Sequence, residues 1–344
     1  MTKRLFGTTK DGKEVFAYEI SNSKGMKAEV INFGAIVTKL FVPDAKGEVK
    51  DIVLGYDTVA EYEVNGCFFG ATIAPSANRI GNARFTIDGV NYLVDVNDGP
   101  NNLHSHIDLG SHKQIWDAKE VEGGVKFSLA IKDMEMGFPG NKEISITYTV
   151  SEDNELKLEY KGASDKNTII NPTNHSYFNL SGADSETTIL DNVLTLNAAH
   201  YTPVVKGAIP TGEIAPVKGT VMDFTKGLTV GDHIDDDFEQ LVLTGGYDHN
   251  FAIDDYDGSV KKIAEVKDPK TSRKMEVYTN LPGVQFYAGN FVGEQLGKNK
   301  AKYGKRCALC LETQFFPDSV NKPEFPSCIF GPGKDYSSIT IYKF

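Results

Sequence analysis

The sequence predicts an all-β fold: one large antiparallel domain of many short strands, a sandwich or a barrel, spanning residues 1–344. Three observations predict it. Apolar residues alternate with polar or small ones at period two along much of the chain. Turn-forming residues punctuate the alternating runs, and the chain holds 33 glycines and 14 prolines to build such turns. Amphipathic helical spacing is scarce, and residues 58–62 offer at most one turn.

In chain order, short apolar runs at residues 28–33 and 36–42 read as the first strands. Val125, Phe127, Leu129 and Ile131 alternate with polar or smaller neighbours, as do Ile144, Ile146, Tyr148 and Val150, then Leu156, Leu158 and Tyr160. Alternation places one set of side chains on a buried face. Gly137-Phe138-Pro139-Gly140-Asn141 and Glu152-Asp153-Asn154 separate these runs, so they read as a meander. Residues 283–288 and 338–342 supply later strands. No fixed-period repeat or low-complexity linker interrupts the pattern.

The formal net charge of −11 argues against nucleic acid or an anionic membrane surface as a partner. Only five arginines occur: Arg4, Arg79, Arg84, Arg273 and Arg306. A phosphate site usually clusters such forks, so a neutral ligand is favoured over a phosphorylated one. The first residues lack the apolar run of a signal peptide, and no stretch has the ~20 apolar residues of a membrane span. A cytoplasmic location is the expectation. Cys307 and Cys310 form a C-x-x-C, but residues three apart on a strand point to opposite faces, so no metal or redox pair is expected.

Polar clusters in strand-like surroundings carry the candidate chemistry. Asn171-Pro172-Thr173-Asn174-His175-Ser176-Tyr177-Phe178-Asn179-Leu180 sets a histidine, able to move protons near neutral pH, among amides, hydroxyls and rings. On a regular strand His175, Tyr177 and Asn179 share a face. Arg79, flanked by Asn78 and Ile80, can turn a fixed fork of donors inward. Leu103-His104-Ser105-His106 holds an H-x-H whose imidazoles would share a strand face as metal ligands do. No carboxylate or thiol nearby completes such a site, so His104 is read as a hydrogen-bonding residue and His106 as solvent-facing. Gly245-Gly246 lets the chain turn sharply and present Asp248. Gln285 and Tyr287 share a strand face. Glu312 follows an apolar strand, where burial would raise its pKa and make it a better base.

In this order, Asn174-His175-Ser176-Tyr177-Phe178-Asn179-Leu180, Tyr247-Asp248-His249-Asn250-Phe251, Gly283-Val284-Gln285-Phe286-Tyr287 and Leu311-Glu312-Thr313-Gln314 resemble the aldose 1-epimerase (galactose mutarotase) family. Asn32-Phe33-Gly34-Ala35 and Val53-Leu54-Gly55-Tyr56 look like its N-terminal landmarks. The resemblance implies a large β-sandwich, the galactose mutarotase-like supersandwich, with a cleft across one sheet. It implies interconversion of the α and β anomers of free hexoses such as galactose and glucose, without cofactor or metal. The residue matching His175 would be the general acid and that matching Glu312 the general base. Those matching Asn78, Arg79, His104, Tyr177, Asp248 and Gln285 would bind the sugar. A nearby carboxylate, Asp248, is expected to keep His175 protonated. The partner would be a monosaccharide, with no nucleic acid or membrane, and the protein a monomer or weak homodimer. The chain departs from the family pattern at Pro75, where an arginine often stands in that neighbourhood, and at Ser105-His106, where Gly-Gly often stands. Both changes would reshape the pocket rim.

Overall fold

A computed structural model describes all 344 residues. Its thirty-one strands, most of them short, are joined by turns and accompanied by only two α-helices. The largest sheet has nine strands, in spatial order Asp117–Val121, Gly124–Ile131, Lys142–Val150, Glu155–Ser164, Tyr336–Lys343, Lys274–Thr279, Lys261–Lys267, Val193–Leu196 and Leu228–Thr229. The middle runs pair as a continuous antiparallel meander, as their alternation predicts. The C-terminal strand Tyr336–Lys343 inserts between Glu155–Ser164 and Lys274–Thr279, joining distant parts of the chain.

The reason for the sandwich lies in the two faces of each strand. Phe127, Ile144, Ile146, Leu158 and Val277 are essentially inaccessible and point inward. They belong to one core cluster that also contains Phe251, Val284, Phe286 and Leu311, from a second sheet. That sheet has five strands, ordered Ala215–Pro216, His200–Tyr201, Asp248–Ala252, Gly283–Tyr287 and Cys310–Gln314. A further five-stranded meander runs from Thr2–Thr8 to Val49–Asp51. Burying a side chain such as Phe286 or Leu311 contributes about 1.5–3 kcal/mol each.

The helix Val59–Glu63 occupies the predicted turn. Thr58 starts it by a reciprocal capping box with Glu61. The second helix, Glu239–Thr244, ends at Gly245, whose φ of +66° suits glycine. Gly245 and Gly246 then redirect the chain into the strand that begins at Asp248. No helix is long and apolar enough to cross a membrane.

Candidate active site

Strand register assembles one polar face on the second five-stranded sheet. Asn250 pairs with Gln285 and Gln285 with Glu312; Asp248 pairs with Tyr287 and Tyr287 with Cys310. Directly opposed residues share a face, and alternation sends Phe251, Val284, Phe286 and Leu311 into the core on the other side. A cleft of about 150 Å³ opens above part of this face. That volume would hold roughly ten waters, and so one monosaccharide ring.

Asn78, Arg79, His104, His175, Tyr177, Asp248 and Glu312 all line the cleft. Gln285 does not. It sits beside Glu312 on the same sheet face, donates from Nε2 to Asp248 Oδ1 at 2.6 Å and accepts from Gln314 Nε2 at 3.3 Å. Asn179, on the expected strand face of His175, also lies away from the cleft: its amide donates to the Cys307 carbonyl at 2.8 Å and to Thr187. The regular strand ends at Asn174, which is why strand alternation fails beyond Tyr177.

His175 is held by its backbone: its N–H donates to Ala71 and its carbonyl accepts from Gly70. Its ring lies nearly parallel to those of Tyr177 and Phe68, at 5.0 and 5.9 Å between centroids. Nε2 stands 3.7 Å from Glu312 Oε1, too long for a direct hydrogen bond. Glu312 Oε2 is buried and has no hydrogen-bond partner. A buried carboxyl oxygen left without a donor is costly, and a ligand hydroxyl would relieve it.

Arg79 is oriented by Asp98, whose Oδ2 accepts from Nε at 2.7 Å. Its Nη1 lies 3.8 Å from Asp248 Oδ2. Asp98 was not among the sequence candidates, because only the fold brings it to Arg79. Phe68, Leu103, Tyr287 and Phe291 form the apolar lining, and Gly66 and Cys67 complete the rim. The paired aromatics of Gly66-Cys67-Phe68-Phe69-Gly70 between two glycines are the one sequence signal for that wall.

The H-x-H segment is not a strand. Its strand ends at Leu103, and His104 and Ser105 adopt φ of +54° and +69°. Left-handed backbone at two consecutive non-glycine residues costs of order 1–3 kcal/mol each. Ser105 offsets this: its hydroxyl accepts from the Ser76 N–H and donates to the Ser76 carbonyl, both at 2.9 Å. His106 points elsewhere, half-buried, its Nδ1 accepting from the Asp108 and Leu109 N–H groups.

His104, His175 and Glu312 offer donor atoms within 4.8 Å of one another, a spacing compatible with a metal ion. The tautomer of His104 argues against ligation. Its Nδ1 accepts from the Asn78 N–H at 3.1 Å, so the neutral ring carries its proton on Nε2. Burial pushes that ring well below the ordinary histidine value, and the Arg79 guanidinium adds to the effect. Nε2–H is then a hydrogen-bond donor and offers no lone pair.

Burial drives both members of the central pair towards their neutral forms. It pushes His175 down to about 4, against a favourable contact between the charged ring and its own backbone carbonyl. It pushes Glu312 well above the usual carboxylate range, with Asp248 adding to the effect and Arg79 opposing it. No hydrogen bond or ion pair joins Asp248 to His175, so the structure gives the expectation that Asp248 keeps His175 protonated no direct contact to rest on. Asp248 is directed at Arg79 and Gln285 and is itself raised by burial.

A family model described as aldose 1-epimerase matches residues 17–343. The chain is 39% identical over 345 residues to galactose mutarotase from Mus musculus, covering 100% of this chain and 98% of that protein. It is 34% identical over 338 residues to aldose 1-epimerase from Escherichia coli (strain K12), covering 97% and 96%. Among solved structures, an aldose epimerase homologue from C. elegans superimposes with a TM-score of 0.85 at 30% identity, over 95% of this chain and 98% of that one. Galactose 1-epimerase from Lactobacillus acidophilus NCFM does so with a TM-score of 0.85 at 25% identity, over 99% and 97%.

Proposed function

The chain belongs to the aldose 1-epimerase family and is an isomerase of that class, and from this premise we propose that it interconverts the α and β anomers of free galactose and related hexoses, with His175 as general acid and Glu312 as general base. The observation that carries the assignment is the 3.7 Å separation of His175 Nε2 and Glu312 Oε1 across one cleft. The two reacting oxygens of the sugar, the C1 hydroxyl and the ring oxygen, sit on one carbon. An acid and a base serving them must stand this close, each within hydrogen-bond reach of its own oxygen.

The reaction runs as follows on this reading. Glu312 takes the proton of the C1 hydroxyl, and His175 gives one to the ring oxygen from Nε2. The bond between C1 and the ring oxygen breaks as the C1 carbonyl forms. Rotation about C1–C2 turns the other face of the aldehyde to the returning hydroxyl. Both proton transfers then reverse. Arg79, the Nε2–H of His104, Asn78, Tyr177 and Asp248 bind the remaining hydroxyls. Gln285 acts one step back, by fixing Asp248.

The reaction needs a carboxylate and an imidazolium, whereas burial favours a carboxylic acid and an imidazole. The two forms hold the same number of protons and differ only in where one of them sits. Sugar hydroxyls donating to Glu312 Oε2 would supply its missing partners and favour its charged form. The displaced proton then passes to His175.

The test is polarimetry of freshly dissolved α-galactose, repeated with glucose, xylose and arabinose. His175→Asn and Glu312→Gln should each lose about 10²- to 10⁴-fold in kcat. Wild-type rates in both variants would refute the assignment. Galactose binding without any acceleration by the wild-type protein would instead support a sugar-binding module without turnover.

A further inference from the structure

The strand Cys310–Gln314 delivers two side chains to His175. Cys310 and Glu312 are two residues apart and share the polar face of the sheet. Glu312 Oε1 faces the Nε2 side of the imidazole at 3.7 Å, and Cys310 Sγ faces the Nδ1 side at 3.6 Å. Both nitrogens are therefore bracketed from a single strand, and Cys310 is fully buried. Cys310 does not line the cleft, so its thiol meets the histidine from behind.

We propose that Cys310 is a positioning residue for His175: its thiol occupies Nδ1 and holds the ring with Nε2 turned towards the cleft and Glu312. The inference rests on the reading of His175 as the acid. A thiol suits the place because it is both a weak donor and a weak acceptor. When the imidazolium releases its Nε2 proton, the neutral ring must keep the proton on Nδ1, or Nε2 cannot take a proton back. Sγ is the acceptor on that side. Burial, with the nearby Glu312 and Asp248 carboxyl groups, keeps Cys310 a thiol. A thiolate here would trap the imidazolium as an ion pair, and the weaker partner leaves its proton transferable. The other titratable groups around the ring are His104, Tyr177 and Tyr287.

The experiment compares Cys310→Val, which replaces the thiol by an apolar branch one methyl larger, and Cys310→Ser, which keeps a hydrogen-bonding group, with the wild-type enzyme. Full polarimetric kinetics would be measured from pH 5 to 9, with melting curves alongside. The expected result for Cys310→Val is a fall of about tenfold in kcat, KM within about twofold, and a displaced acidic limb in the kcat profile. Cys310→Ser should recover most of kcat. Unchanged kcat and limb in Cys310→Val would overturn the proposal. So would a loss of kcat that follows the loss of Tm with the limb in place, or an equal loss in both variants. Should His175→Asn keep full activity, the assignment of the acid itself fails. If His175→Asn is inactive while Cys310→Val is unaffected, only the role of Cys310 fails.

Discussion

His249 provides a test of what holds the fold together at moderately acidic pH. It follows Asp248 on the strand Asp248–Ala252 and has no solvent exposure. Its Nδ1 accepts from the Asp248 N–H at 3.2 Å, and its Nε2 has no partner. Burial alone pushes it down to about 3. His112 is pushed to about 3 and His175 to about 4, chiefly by burial, and His104 well below its ordinary value. All four stay neutral in the fold at pH 5.5, whereas in the unfolded chain each is about nine-tenths protonated, from a pKa of ~6.5. A group whose pKa is depressed by folding contributes its full stability above the unfolded value and loses it as pH falls towards the folded one. Glu312, Asp248 and Asp318 work in the opposite sense, because burial raises them. They hold their protons to higher pH in the fold than in the unfolded chain, and their destabilising effect fades as pH falls towards the unfolded carboxylate range. The four histidines bind about 3.6 more protons in the unfolded chain at pH 5.5, and each carboxyl group that keeps its proton in the fold subtracts about one, so stability should still fall by at least about 1 kcal/mol per pH unit. Urea titrations followed by tryptophan fluorescence and circular dichroism from pH 7 to 5 would measure it. His249→Phe keeps a ring in place and should reduce the slope by about 1 kcal/mol per pH unit. A flat wild-type profile, or a slope unchanged in His249→Phe, would refute the reasoning.

Three further outcomes are expected. Arg79→Lys loses the fork that engages Asp98 at 2.7 Å and reaches towards Asp248 at 3.8 Å, so KM should rise about tenfold in steady-state polarimetry while kcat changes less. Ser105→Ala removes both hydrogen bonds to Ser76 and leaves a buried N–H unpaired, which should cost about 1–3 kcal/mol in urea unfolding. Ser105→Gly should cost less than Ser105→Ala, since glycine carries the positive φ without strain. Gly283→Ala would place a methyl carbon 2.6 Å from Asn250 Oδ1 and 2.8 Å from a Phe316 ring carbon, and overpacking of about 1–3 kcal/mol should lower Tm.

Much of the fold is legible residue by residue. The alternation at Val125, Phe127 and Ile131, and at Leu156, Leu158 and Tyr160, becomes the buried face of the nine-stranded sheet, because a two-residue period is a local property of extended chain. The capping of Val59–Glu63 by Thr58 and Glu61 is equally local. Seven of the eight expected site residues line one cleft, and the eighth, Gln285, supports it by donating to Asp248. The H-x-H segment misleads because its backbone is set by a contact between Ser105 and Ser76, which lies outside the segment itself.

The sequence by itself determined the strand-rich fold class, the family, and the residue types able to transfer protons and bind hydroxyls. Tertiary structure decided where those groups stand and which of them hold protons. Cys310 lies 135 residues from His175 in the chain, yet its thiol meets the imidazole. Asp98 orients Arg79, and Asp248 is engaged by Gln285 and faces Arg79. The physical reason is that charge state depends on desolvation and on neighbours brought together by long-range strand pairing. A linear pattern names a histidine and a glutamate, but only the closed core makes them a buried pair whose neutral forms burial favours.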